Sequence, residues 1–85
     1  MGRILAIDFG LKRTGIAVTD PLQIIANGLD TVPTHTLLVF LQTYFAKETV
    51  DQVVIGMPKN LDNTDTDSTA GVRIFIKSFR KKFPL

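Results

Sequence analysis

The sequence contains no cysteine, no tryptophan and a single histidine, His35. Without cysteine the chain has no disulfide, no thiolate nucleophile and no cysteine-ligated zinc. One histidine cannot form a histidine-rich metal site. Any bound metal would therefore be held by oxygen ligands, which favours a hard cation such as magnesium or manganese.

Long hydrophobic stretches are also missing. The first apolar run, residues 4–7, ends at Asp8, and no run approaches the ~20 residues that cross a membrane. The same run is too short for the apolar region of a secretory signal. We therefore expect no membrane partner and a cytoplasmic protein.

The chain has only a small excess of positive charge, since its 85 residues include ten Lys and Arg and eight Asp and Glu. The net charge of +2 permits nucleic-acid binding but does not argue for it. Hydrophobic residues make up 45% of the chain, which excludes disorder throughout. The length allows one small domain and excludes a two-domain enzyme.

Hydrophobic patterning predicts the element order β-β-β-α-β-α. Strands are expected at residues 4–7, 15–19, 22–32 and 51–56, and the first is expected to be buried on both faces. A helix should begin at Pro33-Thr34, with Val39 and Phe40 widening its apolar face. A second helix should begin near Thr64 and Asp67, which form an approximate capping box. Its apolar stripe consists of Val72, Phe75, Ile76, Phe79 and Phe83.

This order predicts an α/β fold with a mixed sheet. Three consecutive strands with tight connections favour an antiparallel meander. The strand, helix and strand that follow favour a right-handed parallel crossover. The helices should pack on the resulting sheet.

The turn after the first strand is the most informative stretch. Asp8 follows a buried strand, and Gly10 and Gly15 permit backbone angles or close approaches that other residues resist. Lys12 and Arg13 could neutralise a phosphate beside a carboxylate-bound cation, which suits phosphodiester chemistry. A plain hairpin, with Asp8 capping the turn and both cations solvated, explains the same residues equally well.

Two stretches together resemble the YqgF family, also called RuvX. They are AIDFGLKRTGIAVTD (residues 6–20) and VVIGMPKNLD (residues 53–62), and the likeness covers essentially the whole chain. The resemblance implies a single ribonuclease H-like domain over residues 1–85. It also implies a metal-dependent nuclease linked to maturation of the 5′ end of 16S ribosomal RNA. The family has also been described as a Holliday-junction resolvase, which would act on branched DNA.

The resemblance assigns roles to individual residues. Asp8 matches the family's first catalytic carboxylate, a ligand of Mg²⁺ or Mn²⁺. Lys12 and Arg13 match its basic turn and would approach substrate phosphates. Asn60 and Asp62 fall on the second signature and would lie near the substrate.

The family pattern continues beyond the point where this sequence ends. It includes a further strand with a catalytic Glu and a later helix with another Asp, so we expect the chain to be a fragment lacking that C-terminal portion. Glu48, the only Glu here, is expected to be solvated. Asp20, Asp62, Asp65 and Asp67 are other acidic residues, but no pattern places them against Asp8. The strand at residues 52–55 should be left with an open edge, through which a homodimer could form.

Two alternatives to a nuclease remain open. The Asp-x-Gly turn also resembles the phosphate-binding turn of actin-like ATPases and sugar kinases. A non-catalytic remnant could instead bind RNA or a partner without cutting.

The basic residues near the end of the second helix are expected to form a solvated face, because cations are favoured near a helix C-terminus. These residues are Lys77, Arg80, Lys81 and Lys82. His35 is expected to be exposed in the first helical turn.

Overall fold

The computed structural model describes residues 2–56 and 67–83 of the chain, with the side chains of 67 and 68 excepted. Its strands are β1 (Arg3–Asp8), β2 (Arg13–Thr19), β3 (Ala26–Pro33) and β4 (Val50–Gly56). Its helices are α1 (Leu37–Lys47), preceded by a 3-10 turn over Thr34–Thr36, and α2 (Asp67–Lys82). The predicted order β-β-β-α-β-α is confirmed.

The four strands form one mixed sheet in the order β3-β2-β1-β4. β1 is antiparallel to β2, and β2 is antiparallel to β3, as the meander predicts. β1 is parallel to β4, because α1 carries the chain back to the start of the sheet. The carboxyl ends of β1 and β4 consequently lie at the same edge, where Asp8 is the partner of Gly56.

The core lies on one face of this sheet only. Leu5 and Ile7 of β1 are buried, whereas Ala6 and Asp8 between and after them are exposed. The prediction that this strand is buried on both faces is therefore wrong. The reason is that α1 and α2 pack on the same face, and nothing in the described ranges covers the other. Val54 of β4, 53% exposed, belongs to that uncovered face.

Two strand boundaries differ from the prediction. β2 begins at Arg13, two residues earlier than expected, and β3 begins at Ala26 instead of residue 22. The intervening segment is a loop because the Asp20 carboxylate accepts hydrogen bonds from backbone N–H groups at 2.7–2.9 Å. The donors are Leu22, Ile24 and Ile25. Local hydrogen bonding of this kind competes with strand pairing.

The packed face agrees with the sequence in α2 but is narrower than expected in α1. In α1 only Leu37 and Leu41 are buried, and Val39 is 65% exposed, so Val39 does not widen the packed face. Phe40 does widen it, since it is half-buried against the core. In α2 the expected stripe is confirmed, with Val72, Phe75 and Phe79 buried. The predicted capping box lies outside the described residues. Neither helix is long and apolar enough, over the described residues, to cross a membrane.

Candidate active site at the carboxyl end of β1

Asp8 lies at the carboxyl end of an inner strand, as its place in the sequence predicts. Its neighbours across the sheet are Gly15 on β2 and Gly56 on β4. Because neither neighbour has a side chain, the Asp8 carboxylate is exposed on the uncovered face. The position therefore leaves the carboxylate accessible to a cation or a substrate.

An open depression of about 710 Å³ crosses the uncovered face and includes Asp8. Five of its twelve lining residues are glycine or alanine, which are Ala6, Gly15, Ala17, Gly28 and Gly56. Small side chains on consecutive strands leave a shallow surface instead of a closed pocket. An extended ligand could thus reach the carboxylate from the side of the sheet.

The turn between β1 and β2 is held in place by Gly10 and two threonines. A Cβ at Gly10 would overlap the carbonyl oxygen of Arg13, so the close approach expected there is confirmed. The Thr34 hydroxyl donates to the Gly10 carbonyl oxygen at 2.6 Å and lies 2.9 Å from the hydroxyl of buried Thr14. The Thr34 amide donates to the Lys12 carbonyl oxygen at 2.9 Å.

Gly15 has a different role from the one predicted. It lies inside β2 rather than at a turn, its φ is negative, and a Cβ there would make an ordinary 3.8 Å contact with the Asp8 Cβ. No close approach requires glycine at this position. Its missing side chain instead leaves the space beside the Asp8 carboxylate open.

Lys12 and Arg13 are both exposed, and neither forms an ion pair within residues 2–56 and 67–83. Arg13 lies on the same face as Asp8, because it is two residues from Gly15, the partner of Asp8. That offset places it ~7 Å further along the strand direction, beyond the end of β1. The structure therefore brings a carboxylate and an uncompensated guanidinium to the same edge and the same face.

The described acidic side chains do not complete a metal site around Asp8. Asp30 borders the same depression, but it lies on β3, two strands away at ~10 Å, too far for both carboxylates to share one ion. Asp20 follows β2 at the opposite end of the sheet and binds the amides of its own loop. No group of three or more Asp, Glu or His side chains that could hold a metal occurs among the residues described. Asp8 fits a hard cation as a single oxygen ligand.

Hydrogen bonding also sets the acidity of Asp20. The Ile25 amide is the largest cause that holds the pKa of Asp20 below its ordinary value, with Ile24 and Leu22 contributing and desolvation opposing them. A carboxylate that accepts several backbone N–H groups is stabilised in its charged form. Asp20 is thus a structural residue, not part of the site.

The other acidic and amide residues singled out from the sequence fall in two groups. Asn60, Asp62 and Asp65 lie outside the described residues, as does the side chain of Asp67. Glu48 is not simply solvated, since its carboxylate accepts a hydrogen bond from Arg3 Nε at 3.3 Å. That pair lies near the amino ends of β1 and β4, at the far end of the sheet from Asp8.

The basic end of α2 is far from Asp8. Lys82 lines a depression with residues 45–50, beside the start of β4, and Lys77, Arg80 and Lys81 are exposed. β1 is six residues long, so the two basic regions lie at sheet ends ~20 Å apart. All four basic residues are exposed, which agrees with the expected solvated helix face.

Two residues near the site were not selected from the sequence. Asp30 borders the Asp8 depression, and His35 shares a second depression with Lys12 and Arg13. No sequence spacing connects these positions to Asp8. Their positions follow from the pairing of β2 with β3, in which Asp30 is the partner of Ile16 and Pro33 is the partner of Arg13.

A mixed sheet of this order, with a carboxylate at the end of its first strand, is that of a ribonuclease H-like protein. Within that class, the chain belongs to the RuvX family: residues 2–85 match the family model described as "RuvX: Holliday junction resolvase".

Curated relatives share this similarity over nearly the whole chain. Proteins named "Putative pre-16S rRNA nuclease" are 54% identical in Bacteroides thetaiotaomicron, 55% in Flavobacterium johnsoniae and 52% in Porphyromonas gingivalis. Each alignment covers 84 residues, which is 99% of this chain and 61% of the relative. The chain thus spans about three fifths of the length of these relatives.

Proposed function

We propose that this chain carries the Asp8 carboxylate and the basic turn of a nuclease that hydrolyses phosphodiester bonds in RNA. The observation that supports this most directly is the placement of Asp8 and Arg13 on one face and one edge of the sheet. The carboxylate would hold Mg²⁺ or Mn²⁺, and the two cations of the turn would hold substrate phosphates. Asn60 and Asp62 would lie close to the substrate.

Each proposed role follows from the chemistry of the side chain. Asp8 offers hard, charged oxygens, which Mg²⁺ and Mn²⁺ prefer. Such a cation, when bound, neutralises developing charge on the phosphate and lowers the pKa of water. Arg13 presents paired N–H donors that match two phosphate oxygens, and Lys12 adds a point charge.

The proposed substrate is the 5′ region of pre-16S ribosomal RNA, because that is the substrate in the names of the relatives. Such a substrate implies a cytoplasmic protein. Branched DNA is the second candidate, since the matching family model is described as a Holliday junction resolvase. The exposed turn would contact phosphates in either nucleic acid.

Paramagnetic NMR tests the metal ligand directly. Substoichiometric Mn²⁺ is expected to broaden the amides of Asp8, Gly10 and Gly15, and excess Mg²⁺ should reverse the broadening. Asp8→Asn should abolish the effect, whereas Asp51→Asn, at the far end of the sheet, should leave it unchanged. Broadening confined to another acidic region would refute the metal role of Asp8.

Cleavage assays test the reaction and the substrate. The 85-residue chain is expected to cut slowly, because two-metal hydrolysis needs several converging carboxylates around ions ~4 Å apart. A precursor RNA spanning the mature 5′ end and a four-way DNA junction should be compared in Mg²⁺, each with Asp8→Asn as control. Faster cutting of the junction would overturn the RNA assignment. Binding without any cutting, even at high enzyme concentration, would favour the non-catalytic alternative.

A further inference from the structure

The geometry points to His35 as a third substrate-binding residue, which forms a phosphate subsite together with Lys12 and Arg13. This inference rests on the proposed nuclease function and adds a residue that the sequence motifs do not contain. The ligand is a backbone phosphate next to the scissile one. Lys12, Arg13 and His35 together make up this basic subsite.

Two separate parts of the chain build the basic subsite. Lys12 and Arg13 come from the turn before β2, and His35 comes from the 3-10 turn after β3. All three side chains are exposed and line one open depression of about 440 Å³, together with Leu11 and Pro33. No acidic side chain is among the described residues that line it.

The two turns are tied together by hydrogen bonds. Thr34, next to His35, contacts the other turn through its amide to the Lys12 carbonyl oxygen (2.9 Å) and its hydroxyl to the Gly10 carbonyl oxygen (2.6 Å). Arg13 is also the register partner of Pro33. The backbone positions of all three donors are thus set before any ligand binds, which reduces the entropic cost of binding.

The chemistry of the depression selects an anion. Guanidinium, ammonium and imidazole groups all donate hydrogen bonds to phosphate oxygens, and without a nearby carboxylate the charges of Lys12 and Arg13 are not compensated. Arg13 lies ~7 Å beyond the level of Asp8 along the sheet. A phosphate bound there would therefore be a neighbour of the phosphate at Asp8, so the subsite would position the strand without touching the reacting atoms.

Because His35 is the only histidine in the sequence, its ring protons give NMR signals that report binding at this residue directly. The 85-residue chain is titrated with a pentanucleotide of uridine in EDTA, so that neither metal binding nor cleavage contributes. The His35 ring protons and the amides of Lys12 and Arg13 are expected to shift along one binding curve. His35→Ala should weaken binding about fivefold to tenfold, as for loss of one charge-assisted hydrogen bond. His35→Gln, which retains an N–H donor, should recover part of that loss.

Lys81→Ala is the matched control, because it removes a full charge from the opposite end of the sheet and is expected to change the affinity less than twofold. If the His35 ring does not respond while the Lys12 and Arg13 amides shift, the subsite is refuted and the nuclease proposal stands. Equal losses in His35→Ala and Lys81→Ala would also refute it, since the attraction would then be diffuse. If the ring responds but Mn²⁺ leaves Asp8 unaffected in the separate titration, the nuclease proposal fails instead.

Discussion

Replacing Thr34 with valine should destabilise the protein more than its half-buried position suggests. The Thr34 hydroxyl has one proton, which it donates to the Gly10 carbonyl oxygen at 2.6 Å. Its oxygen must therefore accept the 2.9 Å hydrogen bond from Thr14, whose side chain is completely buried. Valine at position 34 has no hydroxyl, so both hydrogen bonds are lost. The Thr14 hydroxyl is then buried without a hydrogen-bond partner.

The expected cost can be worked from these contacts. A buried hydroxyl without a partner costs about 1–3 kcal/mol, and the bond to the more accessible Gly10 carbonyl contributes about 1 kcal/mol. Together they lower the free energy of unfolding by about 2–4 kcal/mol. At about 4–8 °C per kcal/mol for a domain of this size, the Tm should fall by roughly 8–32 °C.

Thermal and urea unfolding followed by circular dichroism measure this loss. Thr31→Val is the control, because Thr31 is exposed on β3 and its hydroxyl makes no hydrogen bond in the described structure. This substitution should change the free energy of unfolding by no more than about 0.5 kcal/mol. In Thr14→Val/Thr34→Val no hydroxyl is left buried alone, so the double variant should be more stable than the sum of the single losses predicts. A Thr34→Val variant no less stable than Thr31→Val, or strictly additive losses, would refute the reasoning.

Three further predictions follow from the structure. Gly10→Ala should lower the free energy of unfolding by about 1–3 kcal/mol in chemical denaturation, because its Cβ would displace the Arg13 carbonyl; Gly28→Ala, with nothing within 4 Å of the new Cβ, should not be destabilising. The folded-state pKa of Asp20 is lowered, so its contribution to stability is present above the unfolded-state pKa and is lost as the pH falls through the folded one. Asp20→Asn should therefore flatten the decline of Tm with acidification below about pH 4, and an unchanged acid profile would contradict this. The outer edge of β4 has no partner strand in the described structure, so sedimentation over a concentration series should show dimers formed through that edge; a persistent monomer with slow amide exchange at residues 53–55 would contradict it.

Much of the fold could be predicted because its signals are local. Alternating and continuous apolar runs mark the strands, and the helical spacing of Val72, Phe75 and Phe79 marks the buried face of α2. A short chain with tight connections leaves few topologies to choose from. For the same reason, Asp8 could be placed at the end of the first strand, beside a basic turn, without coordinates.

The sequence alone therefore determined the element order, the meander and the position of Asp8, because each depends on residues near one another in the chain. Only the tertiary structure decided which face of the sheet the helices cover, since Ile7 and Ala6 read alike in an apolar run. It also decided that Asp30 borders the Asp8 depression and that His35 adjoins Lys12. Those neighbours arise from the pairing of β2 with β3, whose register includes a bulge after Ile16. Such pairing depends on packing and hydrogen bonds between distant segments, which no local pattern encodes.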